Sequence, residues 1–387
     1  MSDKPKIMTV YGTRPEAIKV APVVSALQND DRFESVVVST GQHREMLEQV
    51  NKRFGITPDH DMALMKPGQT LNELVARAIQ GLDPIIEEEK PDVIISQGDT
   101  STAMVAALAG FHKGVKIVHL EAGLRTGNIF SPFPEEANRK IIGQIASLHL
   151  APTNESRENL RRENFRSKDI VVTGNTVIDA LLAASEWDVQ FDDPRLEELR
   201  NSDEKLVLVT THRRENLDAM KEIGGAVQDL AKSYTDHIFA LPLHLNPKVR
   251  EAVLPEVEDL PNVIITDPLP YDQFTALMSR AYLVLTDSGG VQEEAPSLGK
   301  PVLVMRENTE RPEAVVAGTV KLVGTDRDRI VAEAKNLLDH GAAYDAMANS
   351  VNPYGDGKAA ARALAAIAEL TGVGTRIPEF EPHLTNA

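Results

Sequence analysis

Short apolar runs alternate with longer amphipathic stretches along the first half of the chain. Ile7–Tyr11, Ser35–Ser39, Asp92–Gln97, Lys116–Leu120 and Ile170–Thr173 have the composition of strands buried on both faces, as in a parallel sheet. Between them lie helical periods. In the clearest, Leu71, Leu74, Val75, Ala78, Ile79, Leu82, Ile85 and Ile86 fall at three- and four-residue spacing, which lines them along one face of a helix. Strands alternating with helices predict βαβ units. The stretch from Ala183 to Glu204 breaks the rhythm: it is acidic, contains Pro194 and has no long buried strand, so a connection between domains is expected there. The pattern then restarts, with Leu206–Thr210, Ile238–Leu241, Val263–Thr266, Tyr282–Thr286, Val302–Met305 and Val320–Val323 as strands and Ala359–Leu370 as an alanine-rich helix. Two doubly wound α/β halves fill the chain, and ligands in such folds sit beyond the carboxyl ends of the strands.

Composition narrows the chemistry. Two domains suit 387 residues. The absence of cysteine excludes disulfides, thiolate metal sites and a cysteine nucleophile, and fits a reducing compartment. The amino-terminal Met1–Lys6 has no apolar stretch behind it long enough for a signal peptide, and no run approaches a membrane span; a cytoplasmic protein is expected. Fifty-eight acidic against 41 basic residues give a net charge of −17, which argues against nucleic acid and anionic lipid as partners. An anionic small substrate stays open, because a local cluster of cations can oppose the global field.

The residues just after the strands carry that cluster. Gly12-Thr13-Arg14-Pro15-Glu16 combines a glycine suited to a tight turn, a capping-box spacing and a proline suited to a first helical turn. Arg14 fits less well, since a cation in the first turn opposes the helix dipole; a bound phosphate would account for it, and Lys19 lies within reach of the same place or is solvated. Asp99, in Gly98-Asp99-Thr100-Ser101-Thr102, is a helix cap or an acid/base group. Glu121 ends the next strand run, in Glu121-Ala122-Gly123-Leu124-Arg125-Thr126-Gly127, and Glu135 opens a helix after Pro132-Phe133-Pro134. Gathered on one edge, the three carboxylates would supply general acid and base.

In the second half, His212-Arg213-Arg214 follow a strand and form the densest run of potential cations on the chain. Ser288-Gly289-Gly290 offer free N–H groups where a helix starts, a natural phosphate cradle. Arg311 follows another strand, and His244 lies in a loop where a satisfied histidine and a ligand-binding one are equally compatible with the sequence. There is no G-x-G-x-x-G, no P-loop and no H-E-x-x-H, so neither the usual dinucleotide nor a zinc site is expected. These observations describe two α/β domains facing a cleft and binding a phosphorylated, nucleotide-bearing ligand.

The residues resemble the non-hydrolysing UDP-N-acetylglucosamine 2-epimerases, which have the GT-B architecture. GTRPEAIK at Gly12–Lys19, QHREML at Gln42–Leu47, EAGLRTG at Glu121–Gly127, SPFPEEANR at Ser131–Arg139, HRREN at His212–Asn216 and TDSGGVQEEAPSLGKPVLVMR at Thr286–Arg306 carry the resemblance in order along the chain. It implies GT-B domains over residues 1–175 and 176–359, with the helical region 360–387 packing back on the first. It also implies interconversion of UDP-GlcNAc and UDP-ManNAc by elimination of UDP to a 2-acetamidoglucal, with no metal or cofactor, in a homodimer. By position, Asp99, Glu121, Glu135 and His212 correspond to catalytic groups. Arg14, Lys19, Phe274, Ser288, Gly289, Gly290, Glu294 and Arg311 correspond to contacts with the nucleotide sugar, Glu294 at the ribose and Phe274 at the uracil. Gln42, Arg213 and His244 correspond to a neighbouring activator site for UDP-GlcNAc. That site departs from the family pattern: Glu45 stands where some members have glutamine, and Met65–Gln69 lacks an arginine they carry. A GT-B glycosyltransferase, a hydrolysing epimerase and a non-catalytic nucleotide-sugar sensor are the competing readings.

Overall fold

The computed structural model describes residues 4–41, 44–66 and 68–382. Among them, two all-parallel sheets form, each within its own packed unit. One unit comprises the chain up to Ala180 together with Tyr354–Glu381, and the other comprises Leu181–Pro353. Both are α/β units of the Rossmann type, as the alternating pattern predicts.

The strands of the first unit are β1 (Lys6–Tyr11), β2 (Glu34–Ser39), β3 (His60–Asp61), β4 (Val93–Gln97), β5 (Lys116–Leu120), β6 (Leu148–Ala151) and β7 (Ile170–Val172), in the order β3-β2-β1-β4-β5-β6-β7. Two of these were not predicted. β3 is only two residues long, and β6 carries a buried histidine, His149, inside a four-residue run. The second unit holds β8 (Lys205–Thr210), β9 (His237–Pro242), β10 (Val263–Thr266), β11 (Leu283–Thr286), β12 (Val302–Val304) and β13 (Val320–Leu322), ordered β10-β9-β8-β11-β12-β13. All six of these match predicted runs to within a residue or two. The Ala183–Glu204 stretch holds the end of the helix Thr176–Ser185 and the short helix Pro194–Leu199, capped by Asp193.

Each sheet has one place where neighbouring strands lead their chains to opposite sides. In the first it lies between β1 and β4, in the second between β8 and β11. Such switch points open a crevice beyond the strand ends. Arg14 and Asp99 follow the first pair, and His212 and Ser288 follow the second.

The strand runs are buried because helices cover both faces, and separate apolar cores form around Met8, Ile94 and Ile117 in the first unit and around Val207, Phe239 and Leu285 in the second. The helix Leu71–Glu89 buries Leu74, Ala78, Leu82 and Ile86 as its period predicts, but Leu71, at its very first position, is exposed. No helix among the described residues is long and apolar enough to cross a membrane.

Candidate active site

In the first unit the groups gather at the carboxyl ends of β1, β4 and β5. The helix Arg14–Gln28 starts with the predicted capping box, Thr13 accepting from the Glu16 N–H while Glu16 accepts from the Thr13 N–H at 2.7 Å. Glu16 does more than cap. It is buried, and also accepts from the Gly12 N–H at 3.0 Å and the Thr100 hydroxyl at 2.5 Å, tying the loop after β1 to the loop after β4. Burial pushes this carboxyl up, and those donors oppose the shift. Gly12 serves close approach, since a Cβ there would run into Thr40 and Thr102; a tight turn is not the reason for the glycine. Arg14 sits half-buried at the first helical position and has no ion pair among the described residues.

Gly98 and Glu121 both turn the chain through the left-handed region, with φ of 70° and 64°. Glycine adopts this conformation freely, but a glutamate is strained there. The strained Glu121 is firmly held. Lys19 Nζ donates to its two oxygens at 2.6 and 2.7 Å, the Gln97 amide to Oε2 at 2.6 Å and the Asn175 amide to Oε1 at 3.1 Å. Asp99 pairs with Arg139 at 2.5 Å, and its carbonyl accepts from Asn138 at 2.8 Å. Both partners lie on the helix Glu135–Ile145, whose first residue is the half-buried Glu135. Asp99 is therefore not the helix cap: Thr100 caps that helix, accepting from the Ala103 N–H at 3.0 Å. Beneath the edge, buried His119 meets the Gly98 carbonyl at 2.7 Å through Nε2, and burial pushes its pKa down to about 3.

In the second unit, a helix start with uncovered N–H groups lies beside two arginines, the cradle geometry expected from the sequence. The helix Gly289–Ser297 begins after Ser288, whose side chain makes no capping hydrogen bond. The first-turn N–H groups of a helix have no intrahelical acceptor, and here two glycines leave them uncovered. Two guanidinium groups converge on the same spot: a Cβ on Gly289 would lie 3.2 Å from Arg213 Nη2 and 3.8 Å from the Arg311 guanidinium. The expected cluster of cations is not a net positive patch, however. Arg311 pairs with Glu293, Arg213 lies 3.6 Å from Glu310, and buried Arg306 is shared by Glu215 at 2.7 Å and Glu310 at 2.6 Å. Glu293 and Glu215 come from other parts of the unit, while Glu310 lies four residues from Arg306 in the same loop.

His212 faces buried Asp287, with Nδ1 3.3 Å from a carboxylate oxygen. Its other side stacks on His244, the rings 5.9 Å apart and tilted by 22°. His244 Nδ1 accepts from the Asn246 N–H at 3.1 Å. Arg213 and His244, expected at an activator site, thus stand beside the cradle and His212 respectively, and Gln42 lies outside the described residues. Phe274 is half-buried one turn along the helix Tyr271–Arg280 from Tyr271. Burial, together with the charge of Glu294, pushes the Tyr271 hydroxyl up.

Sequence reasoning found Glu16 as a capping residue but missed its bond to Thr100, and missed the other groups that hold the site: Gln97, His119, Arg139, Asn175, Asp287, Glu293 and Glu310. Most of their partners are distant in sequence, and strand order brings those together.

Comparison with known proteins gives a consistent picture. A sequence profile described as "UDP-N-acetylglucosamine 2-epimerase" matches residues 25–368. The UDP-N-acetylglucosamine 2-epimerase of Escherichia coli K12 is 52% identical over 368 residues, covering 94% of this chain and 98% of that protein. A crystal structure of a putative UDP-N-acetylglucosamine 2-epimerase from Listeria monocytogenes superimposes with a TM-score of 0.92 at 45% identity, over 98% of this chain and 100% of that one. The Neisseria meningitidis UDP-GlcNAc 2-epimerase, solved bound to UDP-GlcNAc, does so with a TM-score of 0.82 at 44% identity, over 94% and 100%.

Proposed function

The chain belongs to the UDP-N-acetylglucosamine 2-epimerase family and is an isomerase, and on that premise we propose that it inverts carbon 2 of UDP-GlcNAc to give UDP-ManNAc by eliminating and re-adding UDP. The observation that carries this mechanism is the uncapped start of the helix Gly289–Ser297, with Arg213 and Arg311 converging on Gly289.

The hydrogen at carbon 2 of the resting sugar is not acidic. Cleavage of the bond between carbon 1 and the diphosphate oxygen builds positive charge at carbon 1, and that charge acidifies the neighbouring hydrogen. Stabilising the departing diphosphate is therefore the first requirement, met by oriented N–H groups and cations. Ser288, Gly289, Gly290, Arg14 and Arg311 take that role, with His212 beside the diphosphate; Glu294 and Phe274 hold the nucleoside. A carboxylate removes the carbon-2 proton, the anomeric bond breaks, and UDP and 2-acetamidoglucal remain. A proton is then delivered to the opposite face of carbon 2, and a diphosphate oxygen of UDP adds back to carbon 1. Asp99, Glu121 and Glu135 are the acid/base groups, with Lys19 fixing Glu121. Gln42, Arg213 and His244 are the residues through which a second UDP-GlcNAc would activate the enzyme. The working form is a cytoplasmic homodimer.

Incubation with UDP-GlcNAc in deuterated water tests the mechanism. UDP-ManNAc carrying deuterium at carbon 2 is expected. Free sugar with stoichiometric UDP would instead establish hydrolysis, a requirement for an added acceptor would establish transfer, and binding without turnover would leave a sensor. Asp99→Asn is expected to fold and bind UDP while losing about 10²–10⁴-fold of the exchange, the usual worth of a positioned acid/base group. A near-normal rate would remove Asp99 from the mechanism.

A further inference from the structure

Asp287 follows β11 and precedes Ser288, and its fully buried side chain bonds to the loop that follows β8. Its Oδ2 accepts from the Thr211 hydroxyl at 2.9 Å, the His212 N–H at 3.0 Å, the Arg213 N–H at 2.9 Å and the Asn216 amide at 3.3 Å. Its Oδ1 accepts from the His212 N–H at 3.1 Å and faces His212 Nδ1 at 3.3 Å. The Thr211 hydroxyl, the two backbone N–H groups and the Asn216 amide all donate to this carboxylate. Burial alone would raise its pKa, yet the bonds from His212 and the loop hold it below the usual carboxylate range.

We infer that Asp287 is a positioning residue that holds His212 with the ring proton on Nδ1, leaving Nε2 as the nitrogen that meets the substrate. An ionised carboxylate can only accept, so the ring nitrogen facing it must be N–H. The neutral ring then carries its lone pair on Nε2, and the protonated ring donates from Nε2 to developing negative charge. His244 stacks on the ring and limits its tilt, so the carboxylate selects the tautomer and the stack fixes the plane. The same carboxylate also accepts from the Arg213 N–H, a bond that the side-chain oxygen of an asparagine would keep.

This assignment rests on the proposed participation of His212 in the reaction, but its first test does not. Long-range proton–nitrogen NMR of the histidine-labelled full chain, with His212→Gln to identify the signal, reads the tautomer of the neutral ring directly. The Nδ1–H form is expected; a ring protonated at Nε2 would overturn the inference, whether or not the enzyme turns over UDP-GlcNAc.

Asp287→Asn provides the second test. Its amide can donate to Nδ1, which favours the opposite tautomer. Neutralising the aspartate behind a catalytic histidine has cost about 10⁴-fold in kcat in a serine protease with the geometry intact. A loss of about 10²–10⁴ in kcat is expected here, with KM for UDP-GlcNAc changing far less. In combination with His212→Asn, Asp287→Asn should add nothing, because a group acting only through His212 has no effect once the imidazole is gone. A further multiplicative loss in the double variant would overturn the assignment. Wild-type protein inactive on UDP-GlcNAc would refute the epimerase mechanism while leaving the tautomer result standing.

Discussion

Gly289 is the residue on which the cradle turns. It opens a helix, and its missing side chain leaves room for Arg213 and Arg311 beside the first-turn N–H groups. Gly289→Ala would place a methyl group 3.2 Å from Arg213 Nη2. That atom is the far end of a flexible side chain, so it can shift and the fold survives. Alanine is also the better helix former, by up to about 1 kcal/mol. Binding is different, because the methyl group occupies the space an anion would take. UDP affinity is expected to fall about tenfold, equivalent to about 1.4 kcal/mol, with the melting temperature unchanged or raised. Titration calorimetry with UDP and a thermal melt measure the two; unchanged affinity would take Gly289 out of the cradle. The glycine pair was legible in the sequence because two glycines after a strand and before a helix have few other uses. The arginines' carboxylate partners were not, because Glu293 and Glu310 look like ordinary surface residues until strand order sets them beside Arg311 and Arg213.

The elements that were legible are those whose burial is uniform. Parallel strands covered on both faces are largely apolar, which is why β1, β4, β8 and β11, the strands that frame the two switch points, stand out as runs. β6 did not stand out because it is only four residues long and His149 sits inside it, its ring packed on Phe165, 4.8 Å between centroids. Contacts between remote helices leave no local pattern at all. The helix Ala359–Thr371 has no side-chain cap of its own, and its first N–H groups are met by Asp179, from the helix Thr176–Ser185, at 3.1 and 2.8 Å. Burial pushes the Asp179 carboxyl up, and those two N–H groups oppose it. Asp179→Ala removes a cap from a helix 180 residues away and is expected to cost about 1–2 kcal/mol, the range for losing an N-cap. Hydrogen exchange at Ala359 and Ala360 localises the effect: faster exchange there, with the helix Arg14–Gln28 little changed, is the expected result, and uniform loosening of the first unit would contradict a capping role.

Over the whole molecule, the net charge of −17 does not report how the candidate site binds an anion. Arg213 and Arg311 are already paired with carboxylates, so an anion there would meet aimed guanidinium groups and uncovered N–H groups rather than a positive field. Charge governs stability more directly, through groups the fold keeps neutral. His119 and His149 are adjacent across β5 and β6 and almost completely buried. Burial pushes their pKa values down to about 3 and about 4, against about 6.5 in an unfolded chain. Below pH 6.5 the unfolded chain therefore takes up protons that the folded unit refuses, and stability falls as the pH drops. The contribution is complete above pH 6.5 and is lost progressively down to the folded values. At pH 5 each histidine costs about 2 kcal/mol relative to pH 7, from about 1.4 kcal/mol per pKa unit. Of the two, His149 is the safer one to replace, since His119 also holds the Gly98 carbonyl next to Asp99. His149→Leu keeps the packing on Phe165 and removes the titration, so the drop in stability between pH 7 and pH 5, measured by urea unfolding, should shrink by about 2 kcal/mol. An unchanged drop would show that His149 does not contribute to the acid sensitivity of the fold.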